Sequence, residues 1–482
     1  MSLSKAVRAA CLALALPGAY AQSLATMPHQ PADAALMPFL LTDGRVLAQG
    51  ADLTDWYALT PDDNGSYLNG TWKAVAPIPL AWNYAPDAFA SAVLADGRLV
   101  VCGGEYNQGA FALTPMGAVY DPVADSWTQL PPPPGWLNIG DSPSVVLADG
   151  RFLVGRKVDE QMAALDPKTL TWTLLGSSGK SDFNSEEGWT LMPDGTVLTV
   201  DVLNSPNSER YLPGQGAWVS DGSTIVDLHQ PTSVVGCLPY DNGCYFPPGE
   251  TGPQILMPDG TVFAMGGANV RAGAHTSVYH PGTSPSAPGT WIPGPDFPKD
   301  DMSDAAASLL PNGHVLAAAA SGRLYEYDGS TLKRTAIGAA GAILLTLPSG
   351  ETLVTGSHAK IYTTTGAPDP DWAPKVTSVK KMLARGGSYL VKGTQFNGLS
   401  QAAALGDEFE TSTNYPLVRI TNKATGHVAY ARTHDHSSMG VATGAAVVST
   451  HFDLPATMET GASTLEVVAN GIPSPKVRVT IQ

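Results

Sequence analysis

One hairpin pattern recurs seven times along this chain of 482 residues and constrains its fold more than any other feature. Each copy is an apolar run, a tight turn ending in glycine and a second apolar run. The turn glycines are Gly44, Gly97, Gly150, Gly195, Gly260, Gly313 and Gly350. Five of them follow an aspartate, and Asp-Gly between two apolar runs is the strongest short-range hairpin signal, because both central residues can adopt positive φ. Each copy is therefore predicted to form two antiparallel strands.

Most copies continue into a second pair of strands. Segments such as VYDP (119–122) and VYHP (278–281) come next, and a tryptophan follows within a few residues. These tryptophans are Trp72, Trp127, Trp172, Trp218 and Trp291. Four strands per repeat, at a spacing of about 50 residues, are typical of a kelch-type β-propeller blade. The tryptophans are predicted to pack between blades, and seven copies predict seven blades, although six or eight stay open because the last two copies are degenerate.

The repeat stops near Pro374. The remaining residues, 374–482, contain about seven short alternating segments, a pattern and length typical of an immunoglobulin-like β-sandwich. The predicted fold class is therefore all-β. A seven-bladed kelch-type β-propeller over residues 22–373 is followed by an immunoglobulin-like β-sandwich over residues 374–482.

The N-terminus has the three parts of a secretory signal peptide. Lys5 and Arg8 form a basic region, an apolar stretch over 9–16 follows, and Ala19-Tyr20-Ala21 fits the small-x-small cleavage rule. Residues 1–21 are therefore predicted to be a signal peptide cleaved after Ala21, which makes the protein secreted or periplasmic. The apolar stretch is too short to span a membrane, and no later run of about 20 apolar residues exists.

Cysteine usage agrees with export. Cys237 and Cys244 flank the turn-rich segment LPYDNG and are predicted to form a disulfide in an oxidising compartment. Cys102, within the apolar run LVVCGG, is predicted to be a buried free thiol.

The charge balance restricts the partners. The net charge is −16, and it becomes −16 − 2 = −18 when Lys5 and Arg8 leave with the signal peptide. Such an excess of acid disfavours nucleic acid and anionic membrane surfaces, because both attract basic patches. The expected partner is an extracellular glycan or small molecule, and the protein is expected to be a monomer with no nucleic-acid partner and no membrane span.

Together, these features resemble the galactose oxidase and glyoxal oxidase superfamily over essentially the whole chain after the signal peptide. Several stretches resemble more closely a group of secreted bacterial kelch-like proteins. These stretches are NIGDSPSVVLADG, NSEEGWTLMPDG, ETGPQILMPDG, DAAASLLPNG and YARTHDHSSMGVATG. The resemblance implies the propeller, and it implies a galactose oxidase-like early-set domain for residues 374–482.

The oxidases of this superfamily use a copper ion with a tyrosine cross-linked to a cysteine, a second tyrosine and two histidines. The resemblance assigns the cysteine position to Ala90 and the cross-linked tyrosine position to Asp141. It assigns the second tyrosine and one histidine to Ser303 and Asp304, and only the Thr-His element survives, as Thr433-His434. Because copper-radical chemistry needs those redox-active side chains, the sequence predicts that radical copper is not the cofactor.

A carboxylate enters the first strand in five successive copies. Counting back nine or ten residues from the turn glycine gives Asp87, Asp141, Glu186 (with Glu187 beside it), Glu250 and Asp304. Because the first strand of a blade lines the central channel, these side chains are expected to converge at one mouth of the channel. Close carboxylates raise one another's pKa or bind a cation. Asp141, Glu186, Glu187 and Asp304 are therefore candidate catalytic residues, with solvated turn-forming acids as the alternative.

A His-x-His element from the C-terminal region is a candidate addition to this site. His434 and His436 are two residues apart, so on an extended strand both side chains point the same way. With Glu250 they are candidate ligands of a divalent cation, the one cofactor class the sequence suggests. Alternatively, the histidines anchor the sandwich to the propeller by hydrogen bonds.

Aromatic residues flank the same loops. Trp82, Tyr84 and Trp136 lie near the predicted mouth and, with Asp87, are candidate substrate-binding residues, because aromatic rings stack on sugars and other flat ligands. Packing within the loops is the alternative.

Three functions are compatible with this sequence. The first is an extracellular hydrolase or lyase, metal- or carboxylate-dependent, acting on a saccharide-like or small-molecule substrate. The second is a non-catalytic glycan- or protein-binding kelch module with a structural cation. The third is a scaffold whose rim binds other proteins.

Overall fold

The computed structural model describes residues 22–482 apart from 233, 241–242, 269–271, 286 and 407–410. The predicted signal peptide lies outside the described residues. Almost all regular structure is β-strand, with two short 3-10 helices, Leu80–Trp82 and Pro370–Trp372, in the described ranges. No helix in this part of the chain is long and apolar enough to cross a membrane.

Among the residues that the structure describes, seven sheets each contain four antiparallel blade strands, which we number as blades 1 to 7. Blade 1 contains Ala35–Leu40, Val46–Gly50, Trp56–Thr60 and Thr71–Val75. Blade 2 contains Ala90–Val93, Leu99–Cys102, Gly117–Asp121 and Ser126–Leu130. Blade 3 contains Ser144–Val146, Phe152–Gly155, Met162–Asp166 and Thr171–Leu175. Blade 4 contains Thr190–Leu191, Val197–Val200, Asn207–Leu212 and Ala217–Ser223.

Of the last three blades, blades 5 and 7 each include a strand from outside their own repeat. Blade 5 contains Gly249–Leu256, Val262–Gly266, Thr276–His280 and Thr290–Pro293, with Gln230–Pro231 paired to its first strand. Blade 6 contains Ala306–Leu309, Val315–Ala318, Arg323–Tyr327 and Leu332–Gly338. Blade 7 contains Ile343–Thr346, Thr352–Thr355 and Lys360–Thr363, and its fourth strand is Ser23–Thr26 from the other end of the propeller segment.

The first strands of the blades form a closed ring. Each contacts the first strand of the next blade, and that of blade 7 contacts that of blade 1. The strand from Ser23 to Thr26 completes blade 7, so the two ends of the propeller segment are joined within one sheet. The predicted β-propeller is confirmed, with seven blades.

The repeated turns explain why each blade forms. All seven turn glycines adopt φ between 80° and 92°, a left-handed conformation that residues with a Cβ rarely adopt. The tryptophans of the fourth strands then connect neighbouring blades. The indole N–H groups of Trp127 and Trp172 donate to the carbonyls of Ala76 and Pro131, which follow the preceding blades, at 2.8 Å each. The inter-blade packing predicted for these two tryptophans is confirmed.

Two small hairpins lie at the mouth at which the first strands begin. One sheet contains Pro86–Asp87, Tyr106–Asn107 and Ala110–Phe111, and a hairpin contains Leu238–Tyr240 and Gly243–Tyr245. The second hairpin belongs to the insertion between blades 4 and 5. A disulfide between Cys237 and Cys244 closes it, with the Cα atoms 5.5 Å apart. Cys102 is a buried free thiol, and burial raises its pKa.

Most strands after Pro374 pack around a separate apolar cluster that includes Val391, Val418, Phe452 and Leu465, whereas Ala403–Leu405 pairs with blade 6. Their bounds are Lys375–Val379, Met382–Leu383, Ser388–Thr394, Ala403–Leu405, Leu417–Asn422, Val428–His434, Val448–Asp453, Gly461–Ala469, Ile472–Pro473 and Val477–Ile481. The immunoglobulin-like early-set fold of residues 374–482 stays a prediction.

One segment of the C-terminal region enters the propeller channel. Ala403–Leu405 pairs antiparallel with the first strand of blade 6, and the backbone N–H of Leu191 in blade 4 donates to Gln401 Oε1 at 2.7 Å. Gly406 then lies against Gly188, which comes just before the first strand of blade 4. A Cβ built on Gly188 would be 2.8 Å from the carbonyl oxygen of Gly406. The C-terminal region therefore reaches the mouth from inside the channel.

Candidate functional site

A group of acidic side chains at the channel mouth surrounds the ammonium of Lys157. We call these acids, together with Lys157 and Tyr245, the mouth cluster. Its members are Glu105, Asp141, Lys157, Glu186, Tyr245, Glu250 and Asp304. Lys157 Nζ forms ion pairs with Asp141 and Glu186, and all three side chains are at most 5% exposed. One carboxylate oxygen from each of Glu105, Asp141 and Glu186 lies within 4.8 Å of the other two. The acids of several blades thus converge on one buried cation.

Tyr245 brings a phenol into the cluster from the insertion between blades 4 and 5. Its hydroxyl donates to Glu186 Oε1 at 2.7 Å and also contacts the hydroxyl of Ser185. Lys157 Nζ lies 5.2 Å from the centroid of the tyrosine ring. Burial raises the pKa of Tyr245, so the phenol stays protonated and acts as a hydrogen-bond donor.

The pKa of Asp304, at the mouth, is raised towards neutral pH. Burial, and then the negative charge of Glu186, raise the pKa of Asp304 to about 6. Lys157 and a hydrogen bond with Glu250 oppose that rise. The two carboxyl groups of Asp304 and Glu250 are therefore adjacent and share a hydrogen bond, so a proton can be held or released there near neutral pH.

Backbone conformation helps to aim these side chains. Glu186 and Asp304 adopt φ of 59° and 48°, and Ala88 at the equivalent point of blade 2 adopts 51°. Non-glycine residues rarely adopt positive φ, and such conformations concentrate at functional sites. The hydroxyl of Thr251 donates to the Glu186 carbonyl at 3.0 Å and holds this turn in place.

Glu187 does not belong to the mouth cluster, contrary to expectation. It turns into blade 4, where it pairs with Lys180 at 3.0 Å and accepts a hydrogen bond from the Trp189 indole at 3.0 Å. Lys180 also pairs with Glu209 at 2.8 Å. Burial raises the pKa of Glu187 to about 7. The left-handed turn at Glu186 explains the separation, because adjacent residues there point in different directions.

The structure also separates His434 and His436 from the mouth cluster. The backbone N–H of His436 donates to the carbonyl of Ala95, which lies in the hairpin turn of blade 2. That turn lies at the opposite end of the first strands from Glu250. The imidazole of His434 contacts Asp453 Oδ1 at 3.1 Å, within the C-terminal region. The predicted cation site of both histidines with Glu250 is therefore wrong. The backbone of His436 connects the C-terminal region to the propeller, whereas the imidazole of His434 bonds within the C-terminal region.

The imidazole of His436 makes this part of the C-terminal region sensitive to acid. The residue is partly buried, with its Nε2 atom enclosed; the ring contacts Thr450 Oγ1 at 2.8 Å and stacks on Tyr415 with ring centroids 6.2 Å apart. Burial lowers the pKa of His436 from 6.5 to about 3. A lowered folded-state pKa means that this stability is complete above about pH 6.5 and is lost as the pH falls towards 3.

We therefore expect the melting temperature of the His436→Phe variant to fall less steeply than that of the wild type between pH 6.5 and pH 3.5. Phenylalanine keeps the ring but cannot be protonated. Calorimetry across this range measures both slopes, and His427→Phe, at a half-exposed histidine, is the matched control. Equal slopes for the wild type and His436→Phe would show that this histidine does not control acid stability.

The expected substrate-binding aromatics are mostly packing residues. Tyr84 and Trp136 are 2% and 4% exposed and belong to the apolar core. Trp82 is half-buried against the same core. Burial leaves Tyr84 and Trp136 no free ring face, so stacking on a sugar is ruled out for them in this conformation. Asp87 is exposed at the rim. Burial raises the pKa of Glu105, and the negative charge of Asp87 adds a smaller increase.

An apolar cavity of about 220 Å³ adjoins the mouth cluster. Phe183, Leu203 and Phe246 are 44%, 52% and 66% exposed around it, and Ser185 and Tyr245 line it as well. The ring of Tyr245 thus has the cavity beside it and the buried cluster at its hydroxyl. The cavity is large enough for a six-membered ring.

Three members of the mouth cluster were not predicted from the sequence. Glu105 and Lys157 follow the second strands of blades 2 and 3, and Tyr245 lies in the insertion before blade 5. Glu105 and Lys157 could have been found from their positions in the repeat, because the end of a second strand lies at the same mouth as the start of a first strand. A lysine two residues beyond the strand that ends at Gly155 fits that rule.

Comparison with known proteins places these features in context. No protein-family model matches the chain. Over 131 residues it is 31% identical to the kelch-like protein terF of Aspergillus terreus, covering 26% of each protein. Over 244 residues it is 25% identical to galactose oxidase of Gibberella zeae, covering 47% of this chain and 34% of that protein. The predicted resemblance to the kelch and galactose oxidase-like superfamily is confirmed. The chain spans about a third or less of the length of these relatives, and the narrower resemblance to bacterial members stays a prediction.

Solved structures with similar folds include two enzymes. A fungal alcohol oxidase of the AA5 family, in complex with copper, aligns over 95% of this chain and 98% of its own, with a TM-score of 0.49 and 14% identity. Virginiamycin B lyase from Staphylococcus aureus aligns over 71% of this chain and 100% of its own, with a TM-score of 0.47 and 8% identity.

The residues at the positions that the resemblance assigns to the oxidases' copper site do not fit a radical copper. The position of the cross-linked tyrosine holds Asp141, which is ion-paired with Lys157. The position of the cysteine holds Ala90, which is fully buried and has no sulfur. Ser303 uses its hydroxyl to donate to Asp301 at 2.7 Å. These positions supply no phenol–thioether pair to carry a radical.

Proposed function

We propose that this protein is an exported β-propeller that performs carboxylate acid–base chemistry on an extracellular saccharide-like or other small molecule at the channel mouth. In this proposal it is a hydrolase or lyase and not a copper-radical oxidase. The observation that carries the proposal is the hydrogen-bonded pair Asp304 and Glu250 next to the buried ion pairs of Lys157. One carboxyl group of that pair can donate a proton while the other accepts one.

The other charged residues have supporting roles. Lys157 pairs with Asp141 and Glu186 in a buried place, and this pairing offsets the cost of removing the three charges from water. Tyr245 holds Glu186 in place by donating to Oε1. The surplus of negative charge favours substrates that are neutral and rich in hydroxyl groups, or cationic, over phosphates and other anions.

The apolar cavity beside Tyr245 extends the proposed site. Its volume of about 220 Å³ and its partly exposed Phe183 and Phe246 suit a ring or a short alkyl group. A substrate with a polar group at Asp304 and an apolar group towards this cavity is the class that the mouth favours. Export is proposed because the predicted signal peptide and the disulfide between Cys237 and Cys244 are both typical of an oxidising compartment.

A substrate screen on the purified protein tests the proposal. The panel contains oligosaccharides, aryl glycosides and uronate-containing glycans, assayed with and without EDTA and added copper. We expect turnover that needs no copper and produces no hydrogen peroxide. Binding of a glycan without turnover supports the non-catalytic kelch module instead. Copper-dependent release of hydrogen peroxide would contradict the proposed chemistry.

A further inference from the structure

Blade 4 contains a second acidic group, separate from the mouth cluster. We call it the blade-4 cluster: Lys180, Asp182, Glu187, Asp201 and Glu209. One carboxylate oxygen from each of Asp182, Glu187 and Asp201 lies within 4.8 Å of the other two. Ca²⁺ binds oxygen at about 2.3–2.6 Å, so one ion can contact all three carboxylates at this spacing. These three residues are at most 2% exposed.

The charges of the blade-4 cluster do not balance. Four carboxylates are present with the single ammonium of Lys180, which pairs with Glu187 and Glu209 at 3.0 and 2.8 Å. Among the ion pairs of the described ranges, none includes Asp182 or Asp201. Buried carboxylates without a cation are costly, because they lose hydration without a compensating partner.

Asp201 provides an independent indication of a ligand. Its Oδ1 atom is buried and has no hydrogen-bond partner within the part of the chain that the structure describes, although the residue is completely buried. Its other oxygen, Oδ2, accepts only a long hydrogen bond of 3.3 Å from the Ser181 hydroxyl. An orphaned carboxylate oxygen inside a group of acids is a position that a bound cation stabilises.

We propose that the blade-4 cluster binds one divalent cation of the calcium type through Asp182, Glu187 and Asp201. All three ligands are carboxylates, which suit hard cations such as Ca²⁺ and do not select zinc or copper. Lys180 stays with Glu209 at the side of this site. The cation goes beyond the proposed acid–base function, since no step of that chemistry uses it.

The site lies just below the surface and can exchange with solvent. Asp182 lies between the exposed residues Ser181 and Phe183, and its Oδ2 accepts hydrogen bonds from the backbone N–H groups of Val202 and Leu203 at 2.6 and 2.8 Å. The ion thus joins the loop before the first strand of blade 4 to the loop after its second strand. Glu186, the neighbour of Glu187 in the first of these loops, belongs to the mouth cluster. The ion therefore also holds the backbone in place beside the mouth.

Melting temperatures with and without Ca²⁺ test this proposal. After EDTA treatment and dialysis, millimolar CaCl2 is expected to raise the melting temperature of the wild type by about 3 °C or more, because the ion binds only the folded state. The Asp201→Asn variant keeps the shape of the side chain but loses a charged ligand, so it should lose that rise. Isothermal calorimetry should find one ion per chain in the wild type.

Two matched variants locate the ion. Glu105→Gln removes an acid of the mouth cluster, and Asp328→Asn removes a turn carboxylate of blade 6, so both should keep the full rise. The proposal is overturned if neither Ca²⁺ nor Mg²⁺ raises the wild-type melting temperature. It is equally overturned if Glu105→Gln loses the rise while Asp201→Asn keeps it. Neither result depends on a substrate, so failure of this proposal is distinct from failure of the proposed function.

Discussion

The Lys157→Met variant is expected to lose about 3–5 kcal/mol of unfolding free energy at neutral pH, because the substitution leaves buried carboxylates without their cation. Lys157 is fully buried and pairs with both Asp141 and Glu186. Methionine fills a similar volume, so the loss reports the missing charge and not a cavity.

Chemical denaturation at pH 7.5 measures this effect. Lys333→Met is the matched control, because the ion pair of Lys333 with Asp328 is on the surface and its side chain is 74% exposed. Exposed pairs contribute about 0–1 kcal/mol, so this variant should remain close to the wild type. A loss below about 1 kcal/mol for Lys157→Met would show that Lys157 does not hold the mouth cluster together.

The second large effect concerns turnover. On a substrate found by the screen, Asp304→Asn is expected to lower kcat/KM by about 10²–10⁴-fold, the usual contribution of a general acid or base. Stability should change in the opposite direction. Because the folded-state pKa of Asp304 is raised to about 6, ionising this carboxyl group costs stability as the pH rises through 6. The asparagine variant avoids that cost and should be at least as stable as the wild type at pH 8.

Asp328→Asn provides the control for Asp304→Asn. Asp328 lies in the turn between the third and fourth strands of blade 6 and accepts hydrogen bonds from Ser330 and Thr331 within that turn. The Asp328→Asn variant should leave kcat/KM unchanged. A parallel loss of activity in both variants, or a loss of stability at pH 8 in Asp304→Asn, would point to a structural role for Asp304.

The fold could be predicted because its information is local and repeated. A turn such as Asp96-Gly97 requires a left-handed residue, and the same requirement recurs at each blade. The first strands therefore share one register, which also places Asp141, Glu186 and Asp304 at one mouth. The convergence of these acids follows from that register, so it could be predicted from the spacing alone.

Other parts of the site depend on contacts between distant segments. The sequence shows two adjacent acids, and only the φ of Glu186 decides that it faces the mouth while Glu187 faces blade 4. Lys157 is a single lysine in a loop, with no repeat to indicate its direction. The C-terminal region does enter the channel, but it does so through Gln401 and the strand after it, not through the loop of His434. Pairing across so many residues leaves no periodic pattern in the sequence.

The pH dependence of kcat/KM for the wild type and Asp304→Asn tests the central claim most directly. The claim predicts an ionisation near pH 6 in the wild type, set by Asp304 in the field of Glu186, Glu105, Glu250 and Lys157. It predicts that this ionisation disappears in the variant together with most of the activity. Wild-type activity with the same ionisation retained in Asp304→Asn would contradict the assignment of the mouth cluster as the site of acid–base chemistry.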